Sequence, residues 1–408
     1  MGGDGRSYVR LPARPRLLLI TPDYPPAHGG IQLLAHRLAG GLRGFQIRVV
    51  TLDAPGAAEL DRAAAPDEHP AKLDDAARCD GVGERRRPAS RDRADATTTR
   101  RVTAPVRPLA VRNLALNAAA LREAASFRPH ATLSMHIVAS PAAAVVARAL
   151  GAPTVQYFYA KEIPRRARLA AFAAKRARVS IAISAYTADL IAATGATAAD
   201  VRLLPPGVDL PADPAPLPAA RPTFVTVARL EDRYKGHDVL IEALPAVRAR
   251  VPDVEWVVIG DGPLRGELQA RAGARGVADA VRFLGAVDDR RREEWLRRAH
   301  LLAMPSRLPG GGLAGEGFGI VYLEAAACGK PVVAGNVGGA LDAVAAGESG
   351  LLVDPADPRA VADAIVTLLL DPALARRLGA AGARRAQRFA WPAIAERVEA
   401  VLLEQLGQ

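Results

Sequence analysis

Glu316 and Glu324 stand eight residues apart around a glycine-bearing turn, in Glu316-Gly-Phe-Gly-Ile-Val-Tyr-Leu-Glu324. Gly317 and Gly319 let the backbone approach a ligand or take a positive φ. Residues Ile320 to Ala327 favour a helix that Gly329 and Pro331 stop. One carboxylate thus falls in a loop and the other in the first turns of a helix. Free N–H groups at such a helix start carry partial positive charge and suit phosphate, while carboxylates accept hydrogen bonds from hydroxyls. The ligand that fits both is hydroxylated and anionic. A second pair, in Arg229-Leu-Glu-Asp-Arg-Tyr-Lys235-Gly236, sets two cations six residues apart directly after an apolar strand pattern. Arginine offers a fork for two oxygens and lysine a point charge, and together they neutralise a diphosphate without metal. The chain has no Asp-x-Asp pair to bridge magnesium to that diphosphate, so no metal and no cofactor are expected.

The elements that must position these residues follow a strand, loop, helix grammar. Arg16 to Ile20 is a short apolar strand that passes through Thr21-Pro-Asp-Tyr-Pro-Pro26 and His28-Gly29-Gly30 into a helical pattern over Ile31 to Leu42. Ile47 to Thr51 is the next strand. From Ala54 to Arg107 the composition alternates Asp, Glu, Arg, Ala and Pro without period, which reads mostly as a flexible insertion. Beyond a helix at Val111 to Phe127, strands at 131–134, 154–157, 180–183 and 201–204 alternate with helical stretches. Pro211 to Pro222 is a Pro/Ala linker, and the grammar restarts with strands at 223–228, 255–259, 281–284, 301–304, 331–334 and 351–353. The expected class is α/β, two doubly wound parallel-sheet domains facing each other across a cleft, with ligands beyond the carboxyl ends of the strands.

Length and composition agree. A chain of 408 residues exceeds one hydrophobic core, and half of its residues are apolar. The net charge of +11 calls for an anionic partner or surface, but with aromatic residues at 4% the stacking platforms that nucleic acid needs are scarce. Cys79 and Cys328 are the only cysteines, which excludes a disulfide scaffold and fits a reducing cytoplasm. No signal-like start and no run of 18 apolar residues occurs, so neither secretion nor membrane spanning is expected.

Glycine turns also follow the strands at 255–259 (Gly260-Asp-Gly-Pro263), 281–284 (Gly285) and 331–334 (Gly338-Gly339). With the acid pair, the cation pair, Gly29-Gly30 and Pro206-Gly-Val-Asp209, the chain resembles the retaining glycosyltransferases of family 4, of GT-B fold, over almost its full length. The resemblance implies an acceptor-side domain at 1–210, with the insertion at about 54–107, a linker at 211–222, and a donor domain at 223–390. It also implies a closing helix at 391–408 that returns to the first domain. It makes Glu316, Arg229 and Lys235 the catalytic residues. Arg229 and Lys235 hold the donor diphosphate, Glu324 the ribose, and Glu316 the hydroxyls of the transferred sugar. Gly29 and Gly30 lie under the phosphates, Gly262 and Leu284 edge the base, and Phe318, Gly319 and Ile320 complete the donor wall. The acceptor attacks from the face the nucleotide leaves, and the diphosphate takes its proton. In one place the chain departs from the family: where a histidine usually touches the donor sugar it reads Gln156-Tyr-Phe-Tyr-Ala-Lys-Glu162. Tyr159 or Lys161 is the expected substitute by hydrogen bonding, and His136, one strand earlier, is a further candidate.

The glycine-rich run from Met304 to Glu316, together with Gly29-Gly-Ile-Gln32, is most similar to the GDP-mannose-dependent transferases that build phosphatidylinositol mannosides. This likeness implies GDP-mannose as the expected donor, with a UDP-sugar the competitor, and a hydroxyl acceptor that a lipid could carry. Six basic residues between Ile163 and Arg178 could touch an anionic membrane at the cytoplasmic face, although at helical spacing they ring the axis and do not form one stripe. The rival readings are a non-catalytic nucleotide-sugar binding protein, and an epimerase or phosphorylase of the same fold. The first sheet's residues offer few ionisable groups for an epimerase, and the scarcity of lysines argues against a pyridoxal-dependent phosphorylase.

Overall fold

The structure, a computed structural model, describes residues 14–26, 29–64, 97–105, 108–213, 215–217, 219–308 and 315–407. It contains two sheets. The first holds β1 (Arg16–Ile20), β2 (Gln46–Leu52), β3 (Thr98–Val102), β4 (Ala131–Ser134), β5 (Thr154–Phe158), β6 (Val179–Ala182) and β7 (Val201–Leu203), in the order β3-β2-β1-β4-β5-β6-β7. The second holds β8 (Thr223–Val227), β9 (Glu255–Ile259), β10 (Val281–Gly285), β11 (Leu301–Met304), β12 (Val332–Gly335) and β13 (Gly350–Val353), in the order β10-β9-β8-β11-β12-β13. The strand pairs with a described register are all parallel. Central strands such as Leu17 to Ile20 and Leu301 to Met304 are fully buried, because helices cover both faces of a parallel sheet. By its internal contacts the chain divides into two compact units, Met1–Pro153 with Gly407 and Thr154–Leu406 with Gln408.

Each sheet reverses its winding once. In the first the reversal lies between β1 and β4, and in the second between β8 and β11. Ligands of open α/β sheets bind at such switch points, beyond the carboxyl ends of the two strands. The loops that leave β8 and β11 are the ones that carry Lys235 and Glu316.

The segment read as a flexible insertion is ordered at both ends. Residues Ala57–Ala64 form a helix, and Thr98–Val102 pairs with β2 as an edge strand. Its polar pattern suits a half-exposed edge and hides it from a search for apolar runs. Arg101 forks onto Asp61 at 2.6 and 2.8 Å and ties this strand to the helix. The remainder, 65–96, lies outside the described residues, as do His28 and residues 309–314 of the glycine-rich run before Glu316.

The last helix, Trp391–Leu406, packs along β7: Glu404 forks onto Arg202, and Arg397 donates to the carbonyl of Leu203 at 3.3 Å. Where the chain enters this helix, Val208 bridges to Ala390, and any side chain at Gly207 would strike the Trp391 ring.

Candidate active site

The chain leaves β8 through Ala228 to Asp232, makes one 3-10 turn over Arg233–Lys235, and enters the helix His237–Arg250 through Gly236. Gly236 takes φ +83°, and a Cβ there would lie 2.3 Å from the Pro305 carbonyl oxygen, so a bare backbone is required where this turn meets the end of β11. The turn after β9 is stitched to the same loop: Leu230 N–H donates to Asp261 O at 2.9 Å, and Leu264 N–H to Leu230 O at 2.9 Å. Gly260 has φ +129° and allows its backbone to lie against the Ala228 carbonyl, which a Cβ would meet at 2.0 Å.

After β11 the chain returns at Gly315 and turns through Glu316 to Gly319 into the helix Ile320–Ala327. Gly319 takes φ +86°, as the glycine spacing predicts. Tyr322, one turn in, donates its hydroxyl to Met304 O at 2.8 Å and fastens the helix to the strand end. The Glu316 carbonyl accepts from Gly339 N–H at 3.0 Å, which brings in the turn after β12. Glycine turns from four strands therefore do what their pattern suggests: they let backbones converge where side chains would collide.

Lys235 and Glu316, 81 residues apart, meet as a short ion pair with only 17% and 13% of their side chains exposed. Burial acts to lower the Lys235 pKa, but the Glu316 carboxylate, with Tyr234 and Asp232, outweighs it and holds the ammonium above its usual value. Lys161, from the loop after β5, pairs with Asp232 at 2.5 Å. Both lysines flank Tyr234, with their Nζ atoms 5.0 and 5.2 Å from its ring centre. Burial raises the Tyr234 hydroxyl, and all four charges act on it: Lys235 and Lys161 downward, Glu316 and Asp232 upward.

The other expected residues divide. Arg229 stands 68% exposed with Glu231 at 3.5 Å, outside the Lys235 pair. Glu324, on the helix, pairs with Arg292 at 3.1 Å, and burial pushes its carboxyl above the ordinary range against the pull of that arginine. Gly262 lies in the turn after β9 and Leu284 within β10, one residue before its end, and both are partly exposed. Ile320 is partly exposed at the helix start, whereas Phe318 turns its ring into the core against Phe389, 6.0 Å away. Only the Phe318 backbone remains for a ligand. Tyr159 is 6% exposed, stacked on Tyr157, with its N–H donated to Glu162 at 3.1 Å. At the first sheet's switch point, Gly29 caps the helix Gly30–Gly41, and Gln32 donates to Asp23 at 3.1 Å. His136, after β4, accepts the Val138 N–H at 3.2 Å and caps its own turn.

Asp232, Tyr234 and Arg292 contact the expected residues without being singled out by the sequence pattern. Asp232 and Tyr234 were visible between Arg229 and Lys235, but nothing in a linear pattern says what a loop residue will face. Arg292 sits among the charges of Asp288 to Arg298, where no spacing separates it from its neighbours.

The comparisons with known proteins agree with this architecture. The family described as Glycosyltransferase Family 4 matches residues 28–211, and that described as Glycosyl transferases group 1 matches residues 213–385. The chain belongs to this family of GT-B glycosyltransferases and is an enzyme of glycosyl transfer. Among its relatives is the GDP-mannose-dependent alpha-(1-6)-phosphatidylinositol monomannoside mannosyltransferase of Mycobacterium tuberculosis, 34% identical over 390 residues, which are 90% of this chain and 92% of that protein. The Mycolicibacterium smegmatis protein of the same name is 34% identical over 387 residues, 90% and 92% of the two chains. Among solved structures, Anabaena HepE in complex with UDP matches with a TM-score of 0.73 at 20% identity, over 95% of this chain and all of that one. Among the described residues no helix is long and apolar enough to cross a membrane.

Proposed function

We propose that this chain transfers mannose from GDP-mannose to a hydroxyl of a lipid-linked inositol mannoside, with retention at the anomeric carbon. The observation that carries this reading is the identity of 34% across nine-tenths of both chains to relatives named for that donor and acceptor. In this reading residues 223–390 hold the donor, residues 1–210 face the acceptor, and 391–408 close back on the first domain. Lys235 and Arg229 take the diphosphate, Glu324 the ribose hydroxyls and Glu316 the hydroxyls of the sugar. Gly29 and Gly30, whose backbone is bare, take the phosphates from the first sheet's switch point, and Gly262 and Leu284 edge the base. The acceptor oxygen forms its bond to the anomeric carbon as the bond to the diphosphate breaks. The electron pair leaves with GDP, whose oxygen accepts the acceptor's proton. The protein supplies charge stabilisation for the separating pair.

Peripheral contact with the inner face of a membrane belongs to the same proposal. The basic stretch forms two short helices broken at Arg166, and the second, Ala167–Arg176, buries Ala170, Ala173 and Ala174 while exposing Arg168, Lys175 and Arg176. Cations gathered on an outer face attract anionic lipid. Sedimentation with phosphatidylglycerol vesicles, absent with phosphatidylcholine vesicles, is the expected result.

The function is tested by incubating the protein with GDP-mannose and phosphatidylinositol monomannoside. Release of GDP and formation of a dimannoside only when both are present is expected. Binding without turnover favours a nucleotide-sugar binding protein. A thermal-shift series with GDP, UDP, ADP and TDP ranks the base, because stabilisation follows the ratio of ligand concentration to Kd. A larger shift with UDP than with GDP overturns the donor.

A further inference from the structure

Of the two cations that the proposed function gives to the diphosphate, Lys235 is held at the sheet edge by Glu316, whereas Arg229 is mostly exposed. A second lysine lies against the same Tyr234 ring as the first. Lys161 comes from the loop after β5, 74 residues earlier in the chain than Lys235, yet both ammonium groups flank the Tyr234 ring. Its Nζ is not left to wander, because Asp232 holds it at 2.5 Å. Tyr234 and Asp232 both sit in the short turn that ends in Lys235, so the segment that presents one lysine also anchors the other. The cluster is electrically balanced at rest, two lysines against Asp232 and Glu316.

We propose that Asp232 and Tyr234 are positioning residues that hold Lys161 near Lys235, so that the donor diphosphate is clamped by two lysines that lie against one aromatic ring. Glu316 releases Lys235 to the phosphate when the donor enters and turns to the sugar, while Asp232 keeps its hold on Lys161. Lys161 accordingly serves the phosphates and not the sugar hydroxyls. Arginine would not replace it freely: a guanidinium forks onto Asp232 with two N–H groups, whereas an ammonium keeps donors to spare around a single carboxylate oxygen. The inference rests on the proposed donor site, and its test separates the two.

The probe is GDP, which has the diphosphate and lacks the sugar. Wild-type protein, Lys161→Met, Asp232→Ala and the double variant are titrated with GDP by calorimetry, and kcat and KM are measured with GDP-mannose. Thermal melts establish that each variant is folded. Lys161→Met is expected to weaken GDP binding at least tenfold and to raise the donor KM by a similar factor, with a smaller change in kcat. Asp232→Ala is expected to weaken it less, and the double variant to come close to Lys161→Met alone, because most of what Asp232 does passes through its pair with Lys161 and little is left once Lys161 is gone. Tyr234→Phe, which keeps the ring, is expected to bind GDP as wild type does, and Tyr234→Ala to bind it more weakly. If Lys161→Met leaves GDP binding unchanged, or the effects of Lys161→Met and Asp232→Ala add, the clamp is wrong while the donor site stands. A lowered kcat with intact GDP binding would instead put Lys161 on the sugar. If wild-type protein binds neither GDP nor UDP, the donor site itself falls, and the clamp with it.

Discussion

The two acids of the second sheet's switch point are each paired with a cation, and the two pairs are built in opposite ways. Glu316 sits in a glycine turn where Gly317 and Gly319 free the backbone, and its partner is the lysine that the proposed diphosphate also requires. Glu324 sits on a helix, and its partner Arg292 belongs to a separate helix, Asp289–Arg298. In the proposed reading the first pair is exchanged for a ligand, and the second persists and orients a carboxylate toward one. A buried ion pair contributes little net stability, but breaking one by removing a single partner costs about 3 to 5 kcal/mol. The two pairs should therefore respond differently to loss of the cation.

The largest effect is expected at Lys235. Lys235→Met should lower kcat/KM about a thousandfold, the scale seen when a preorganised electrostatic contact to developing charge is lost. It should also lower the Tm, because Glu316 is left buried without its counterion. The combined Lys235→Met and Glu316→Leu variant should recover Tm and remain inactive, as melting curves and the mannose-transfer assay would show. A double variant that melts like Lys235→Met would mean that the pair stabilises the fold and is not built for exchange.

Next comes Glu324. Glu324→Gln should raise the donor KM about tenfold to a hundredfold, the range for hydrogen bonds to a charged group. Arg292→Met should act through pH. Its guanidinium pulls the Glu324 carboxyl down against burial, so without it the carboxyl moves further up, and the acidic side of the rate profile should shift to higher pH. An unshifted profile would remove Glu324 from the ionised groups that matter. Arg229→Ala should cost about fivefold in kcat/KM, since an exposed charge contributes about 1 kcal/mol or less.

A last prediction reads stability, beside the Lys235–Glu316 pair. His237, at the start of the helix after Lys235, is buried against Trp256, and its Nε2 has no partner among the described residues. Burial first, and then Lys235, pull its pKa from 6.5 to about 4. The folded state thus disfavours the imidazolium. Its stabilising contribution is complete above about pH 6.5 and is lost as the pH falls toward 4, by up to about 3 kcal/mol. His237→Phe should flatten the dependence of Tm on pH across that window, and an unchanged slope would show that the ring is not buried neutral.

Much of this was legible in a linear reading. The strands Arg16–Ile20, Ala131–Ser134, Glu255–Ile259 and Leu301–Met304 have the bounds their apolar runs predict, since a strand covered on both faces must be continuously apolar. The helix Ile320–Ala327 likewise begins and ends at its glycines. β3 was missed, because an edge strand of Thr and Arg carries no apolar signal. Phe318 was expected at the donor wall, yet its ring fills the core, because a turn's side chains take whichever side the packing leaves open.

Residue types and spacing by themselves determined the two doubly wound sheets and the two pairs of charges at one sheet edge. Those follow from local rules: apolar runs, glycine positions and helix stops act over a few residues. Which charge faces which was decided only by the tertiary structure. Lys235 meets Glu316 because the order of the second sheet brings the ends of β8 and β11 together, Glu324 meets Arg292 between two helices that follow strands of that sheet, and Lys161 reaches Asp232 from the loop after β5 of the other sheet. An ion pair between residues 71 or 81 positions apart is a property of the folded chain, and no spacing along the sequence encodes it.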